Sequence, residues 1–112
     1  MNDLAQKRCV PCEGGVPSLA KEEVERLLAQ VSGWSFTGKW ITKEFSFKNF
    51  VEAMKFVNCV AGIAEEEGHH PDIHIHYNRV RFDIWTHAIN GLSENDFILA
   101  AKIDALKYLL RK

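Results

Sequence analysis

The segment from Glu65 to His87 constrains the fold more than any other part of the chain. It holds all five histidines of the protein and carries the clearest structural punctuation. An apolar-periodic helix pattern runs up to about Glu67. Gly68 suits the left-handed residue that ends a helix. Pro71 pushes His70 into extended backbone. The His69-His70 pair therefore stands where a helix hands over to a strand. Alternation follows: Ile73, Ile75 and Tyr77 point one way, and Asp72, His74 and His76 the other. A second alternating run sets Val80, Phe82 and Ile84 against Arg81, Asp83 and Trp85, with Asn78-Arg79 as the turn between them.

This pattern predicts a register. With Tyr77 facing Val80, Ile75 faces Phe82, Ile73 faces Ile84, His74 faces Asp83 and Asp72 faces Trp85. A slip by one residue would mix the two faces. Extension of the ladder brings His70 opposite His87. Two histidines at a helix exit then meet a third at a strand end. Three kinds of chemistry fit such a cluster. Histidine titrates near neutral pH and serves acid–base catalysis. With Glu65 the three histidines could bind zinc, although neighbouring residues of a strand point to opposite faces, which counts against a shared set of ligands. The third reading is structural, with the rings hydrogen-bonded at the junction. His74 and His76 read as solvent-facing strand residues.

The chain of 112 residues reads as one domain with enough apolar content, 46%, for a single core. A net charge of -1 provides no field for nucleic acid or an anionic membrane. No apolar run approaches the ~20 residues of a membrane span. Met1 to Val10 lacks the apolar centre of a signal peptide, and three cysteines suggest no disulfide framework. A cytoplasmic protein without nucleic-acid or membrane partners is expected.

Residues 1–17 read as a flexible N-terminal arm, and residues 18–112 as the domain. The arm contains Cys9-Val10-Pro11-Cys12, which supplies only half of a four-ligand zinc site and lacks the helix start that would activate a redox thiol. Incidental thiols are the simpler reading, with metal binding or redox activity as the alternative. The arm carries few apolar side chains, and its removal is expected to leave the site intact. Ser18 is the expected N-cap of a first helix that Gly33 ends. Two short strands follow, Trp34 to Phe36 and Trp40 to Phe47. A second helix, from about Asn49 to Glu67, presents Phe50, Ala53, Val57, Val60, Ala61 and Ala64 as its stripe. Met54 and Phe56 lie off it and suggest contact with another subunit. Glu65-Glu66-Glu67 opposes the helix dipole, a hint that at least one of these acids has another task. Ser93 with Asp96 resembles a capping box at the start of a third helix, whose stripe includes Leu99, Ile103 and Leu106. The order α-β-β-α-β-β-α implies an α+β fold with a four-stranded antiparallel sheet and three helices on one face.

One further pattern bears on function. Glu65 precedes His69-His70-Pro71 by three intervening residues. Five residues then separate Pro71 from Tyr77, nine separate Tyr77 from His87, and eight separate His87 from Asp96. This spacing resembles the signature of pterin-4a-carbinolamine dehydratases, also known as dimerisation cofactors of a homeodomain transcription factor. Similarity extends through Gly33-Trp34, Tyr77-Asn78, Thr86-His87 and Gly91-Leu92-Ser93, from about Leu19 to Leu110. The Cys9 to Pro17 arm and the run Trp85 to Ala88 look like the bacterial and plant-type branch.

The resemblance implies dehydration of 4a-hydroxytetrahydropterin (4a-hydroxytetrahydrobiopterin) to quinonoid dihydropterin, in recycling of the pterin cofactor of aromatic amino-acid hydroxylases. It implies no metal and no cofactor. His69 and His87 are the expected acid–base pair, and His70 is expected to hold the substrate. Glu65, Trp85 and Asp96 are the further substrate-binding candidates. Gly68 stands where the animal enzymes carry an acid. Expected partners are the pterin itself, copies of the chain in a homodimer or homotetramer, and an aromatic amino-acid hydroxylase. The competing reading is an oligomeric regulatory partner module with little or no dehydratase activity.

Overall fold

The computed structural model of the chain describes residues 4–10 and 17–110. Three helices, α1 (Lys21–Leu28), α2 (Phe50–Glu67) and α3 (Glu94–Leu110), accompany four strands, β1 (Ser35–Phe36), β2 (Ile41–Ser46), β3 (Asp72–His76) and β4 (Arg79–Ile84). The expected α+β order and the antiparallel four-stranded sheet are both present. The strand order is β1-β2-β4-β3, so the first hairpin and the second meet through β2 and β4. Ile41, Phe45, Val80, Phe82 and Ile84 are buried, and their alternation turns one face of the sheet to the helices. Phe56 of α2 fills the centre, with Phe45, Phe47 and Phe82 at ring-centroid distances of 5.3, 5.1 and 5.9 Å. Burying each such ring stabilises the fold by roughly 1.5–3 kcal/mol.

The β3–β4 register differs from the sequence reading. Ile73 pairs with Phe82, His74 with Arg81 and Ile75 with Val80, a shift of two residues from the expected ladder. The turn is Tyr77-Asn78 rather than Asn78-Arg79, with Tyr77 in left-handed backbone at φ 53°. A period-2 pattern cannot detect a two-residue slip, because apolar still faces apolar. Hydrogen bonding decides instead. The Phe47 N–H donates to the Asn78 carbonyl at 2.8 Å, and Asn78 Nδ2 donates to the Phe47 carbonyl at 3.0 Å. Asn78 is thereby pinned to the end of β2.

The helices also depart in detail. Ser18 does not cap α1; Ala20 occupies that place without a side-chain bond, because the Leu19 N–H is drawn to the Leu92 carbonyl at 2.9 Å. In α2, Asn49 caps the start by accepting from the Glu52 N–H at 2.9 Å. Phe56, expected off the stripe, is fully buried, whereas Phe50, expected on it, is 47% exposed. The core face is rotated towards the sheet.

The N-terminal segment is the largest departure. Leu4, in a short 3₁₀ turn (Leu4–Gln6), is 2% exposed and belongs to the core. It packs on α3, where Phe97, Ile98, Leu99, Ala100 and Ala101 are all buried. Five consecutive apolar residues wrap the whole circumference of a helix, so α3 needs cover on more than one side. Residues 4–10 supply part of it. Cys12 lies outside the described residues.

Candidate active site

Gly68 ends α2 in left-handed backbone at φ 67°, its N–H on the Ala64 carbonyl. The cap turns the chain sharply, and the two histidines that follow separate. His69 turns inward, its side chain 11% exposed, and places Nε2 2.6 Å from Asp96 Oδ1. His70 turns outward, with Nε2 2.6 Å from Glu65 Oε2. Both His70 and Glu65 are solvent-exposed, so this contact adds little to stability.

Asp96 is fully buried at the start of α3. Its Oδ2 accepts from the Ser93 N–H and from Thr86 Oγ1, each at 2.8 Å. Thr86 Oγ1 and Ser93 Oγ lie 2.9 Å apart. The Ser93–Asp96 capping relation is therefore present, and it aims the second carboxylate oxygen at His69. With Oδ2 filled by two donors, Oδ1 accepts from the imidazole. In the neutral tautomer that donates from Nε2, the ring lone pair sits on Nδ1. Asp96, expected among the substrate-binding residues, stands behind His69 instead of lining the cleft.

His87 reaches the site by another route. The chain leaves β4, and Thr86 bridges Gly91 through two main-chain hydrogen bonds, at 2.8 and 3.3 Å. A Cβ on Gly91 would lie 2.6 Å from Ser18 Cβ, so only glycine lets this loop close here. The loop holds His87 exposed at the start of a 3₁₀ turn (His87–Ile89). Its ring stacks on Trp85 at 4.0 Å between centroids and 32° between planes. Trp85 is itself flanked by Trp40 at 6.4 Å and by Lys39 Nζ at 4.4 Å from its ring. In the observed register, extension of the ladder sets His70 opposite Trp85, not His87; His87 comes in from the loop beyond.

Glu65, His69, His70, Trp85 and His87 nevertheless line one cleft of about 720 Å³, together with Glu67, Asp72, Thr86, Asn95, Cys9 and Val10. That volume suits a small bicyclic ligand. Among the described residues no group of three His, Cys, Asp or Glu side chains is arranged to hold a metal ion, since His69 and His70 are drawn apart to separate carboxylates. His74 lies outside the cleft, its Nε2 3.0 Å from Asp83 Oδ2. Sequence reasoning missed Thr86, Asn95, Cys9 and Val10. The one available signal was the acid run closing α2: Glu65 holds His70, and the Glu67 side chain is buried.

The model of the family described as pterin 4 alpha carbinolamine dehydratase matches residues 17–106. A protein of Nitrosospira multiformis, provisionally named pterin-4-alpha-carbinolamine dehydratase, is 57% identical over 106 residues, covering 95% of this chain and 94% of its own. One from Rubrobacter xylanophilus with the same provisional name is 50% identical over 107 residues, covering 95% and 100%. Among solved structures, a transcriptional coactivator/pterin dehydratase from Brucella melitensis superposes with a TM-score of 0.76 at 36% identity, over 80% of this chain and 97% of its own. A pterin dehydratase-like protein identified as a RuBisCO assembly factor in the alpha-carboxysome superposes with a TM-score of 0.58 at 28% identity, over 66% and 88%.

Proposed function

The chain belongs to the pterin-4a-carbinolamine dehydratase family, and from that premise we propose that it converts 4a-hydroxytetrahydropterin to the quinonoid dihydropterin by histidine acid–base catalysis. The observation that carries this reading is the convergence of His69, His70 and His87 on one cleft, with His69 held by a buried carboxylate.

The reaction needs a proton delivered to the departing 4a-hydroxyl, which leaves as water. It also needs a proton removed from a ring nitrogen as the new C=N bond forms. His69, hydrogen-bonded through Nε2, offers the Nδ1 lone pair as base, and Asp96 stabilises the imidazolium that results. His87, exposed and fixed in plane by Trp85, delivers the proton to the leaving oxygen. The two transfers balance, so water and product leave with no net change in protonation. His70 and Glu65 form a polar rim. A carboxylate with two acceptor oxygens matches the donor-rich amino-pyrimidinone edge of a pterin.

The setting proposed is recycling of the pterin used by an aromatic amino-acid hydroxylase in the cytoplasm. No helix among the described residues is long and apolar enough to cross a membrane. The working form proposed is a homodimer or homotetramer, with support from Phe50 and Val51, 47% and 58% exposed on α2, and from the free edge of β3. The assembly-factor relative favours one competing reading, in which the same fold serves as a partner-binding module.

Stopped-flow dehydration of chemically generated 4a-hydroxytetrahydropterin distinguishes the two. Acceleration over the spontaneous reaction is expected. A rate equal to the uncatalysed one would refute the enzyme reading and leave the binding module.

A further inference from the structure

Glu67 is a carboxylate two residues before His69, yet its side chain is only 2% exposed. Its Oε1 accepts from the main-chain N–H of Cys9 at 2.8 Å. Its Oε2 lies 3.4 Å from Arg8 Nε and 3.7 Å from Lys102 Nζ. Asn95 is 4% exposed and binds the main chain of Val10 twice. The Val10 N–H donates to Oδ1 at 3.0 Å, and Nδ2 donates to the Val10 carbonyl at 2.5 Å. Buried polar side chains are costly unless hydrogen-bonded. Here two of them direct those bonds to one short stretch of backbone. Lys102 Nζ, donating to the Ala5 carbonyl at 2.9 Å, and buried Leu4 secure the same stretch further back.

Each of the two anchors is a near neighbour in the chain of one member of the His69–Asp96 pair. Glu67 precedes His69 on the exit of α2, and Asn95 is adjacent to Asp96 on α3. Between them, Cys9 and Val10 line the same cleft as the three histidines.

We propose that Cys9 and Val10 form a fixed wall of the pterin cleft, and that Glu67 and Asn95 are positioning residues that hold this wall beside His69. The proposal rests on the pterin dehydratase reading of the cleft. The wall transfers no proton. It confines the bound ring and excludes water on one side, so its effect falls on substrate binding more than on the chemical step. The N-terminal segment is thus part of the site, contrary to the expectation of a dispensable arm.

Two measurements on the full-length protein test this. Asn95→Ala removes both bonds to Val10 while leaving Asp96 in place. KM for 4a-hydroxytetrahydropterin should rise about fivefold or more, with kcat changed less than about twofold and the pH profile of kcat unmoved. Glu67→Gln, which keeps an acceptor for the Cys9 N–H, should fall between wild type and Glu67→Ala in KM. The second measurement is alkylation of Cys9 by N-ethylmaleimide in the reduced wild-type protein, read by peptide mass spectrometry. A bound dihydropterin should slow it several-fold while the exposed Cys59 reacts at an unchanged rate. This readout stands even where a variant fails to fold. Turnover by wild type with Cys9 alkylation indifferent to the dihydropterin would overturn the wall and leave the dehydratase reading intact. Cys9 protection with a wild-type KM in folded Asn95→Ala would overturn the role of the anchors. No turnover and no dihydropterin binding by wild type would overturn both readings together.

Discussion

Replacing Asp96 by Asn changes one atom and should reverse the tautomer of His69. The Asp96 side chain is fully buried and meets three donors: the Ser93 N–H and the Thr86 hydroxyl at Oδ2, and His69 Nε2 at Oδ1. An amide keeps the first two only if its carbonyl oxygen takes the Oδ2 place. Its NH₂ then faces His69 Nε2, which must present a lone pair, and the ring hydrogen moves to Nδ1. The Ser93 and Thr86 donors stay paired, but the second N–H of the amide finds no acceptor among the contacts of the buried Oδ1, so the cost to stability is a weakened hydrogen bond plus an unpaired buried donor, about 2–4 kcal/mol. Catalysis suffers separately, because the Nδ1 lone pair that would take the substrate proton is gone. We expect kcat to fall about 10²-fold, the lower end of a positioned acid–base contribution, equivalent to about 2.7 kcal/mol of barrier. Stopped-flow dehydration measures the rate, and long-range ¹H–¹⁵N correlation of the imidazole reports the tautomer. His69→Ala should lose about as much, and the double variant Asp96→Asn/His69→Ala no more than either, since both remove one unit. A rate within about threefold of wild type for Asp96→Asn, or a double variant that multiplies the two single losses, would refute the claim that Asp96 acts through His69.

Other outcomes follow from the same geometry. His87→Ala should lower kcat at least about tenfold with an unchanged unfolding midpoint, because the ring is exposed and stacks on Trp85 at the surface; a near wild-type rate would remove it from the acid–base pair. Dehydration should persist after exhaustive chelation, with metal analysis finding no stoichiometric zinc at the histidines; activity lost to chelator and restored by zinc would return the metal reading. Sedimentation should show a homo-oligomer, since Phe50 and Val51 are exposed on α2, and a monomer at all concentrations would contradict it. Asp104 receives Trp34 Nε1 and Lys43 Nζ, yet burial outweighs these partners and holds its carboxyl above the ordinary value. Its contribution to stability is therefore fully present in acid and is lost as pH rises through the folded-state value. Urea midpoints should accordingly move against wild type, relative to Asp104→Asn, between about pH 3 and neutrality, and the opposite trend would refute the sign.

The elements and their order follow from local chemistry and are legible along the chain. Gly68 and Pro71 end α2 and start β3 wherever the rest of the chain lies. Asn49 caps α2 with its own side chain. Alternation in Arg79–Ile84 puts Val80, Phe82 and Ile84 in the core. The spacing from Glu65 to Asp96 marked the segment from which the cleft is built. Features that depend on distant partners emerge only on folding. The β3–β4 register came from Asn78 bonding to Phe47, since a period-2 pattern reads the same after a shift of two. Phe56 entered the core because the sheet, not the helix period, set the orientation of α2. Asp96 went behind His69 because Thr86 and Ser93 arrive from another loop to fill its second oxygen. The N-terminal segment looked independent because its anchors, Glu67 and Asn95, lie far along the chain. Hydrogen bonds from buried side chains to a distant backbone leave no periodic trace in either segment, so the wall beside His69 appears only when the chain is folded.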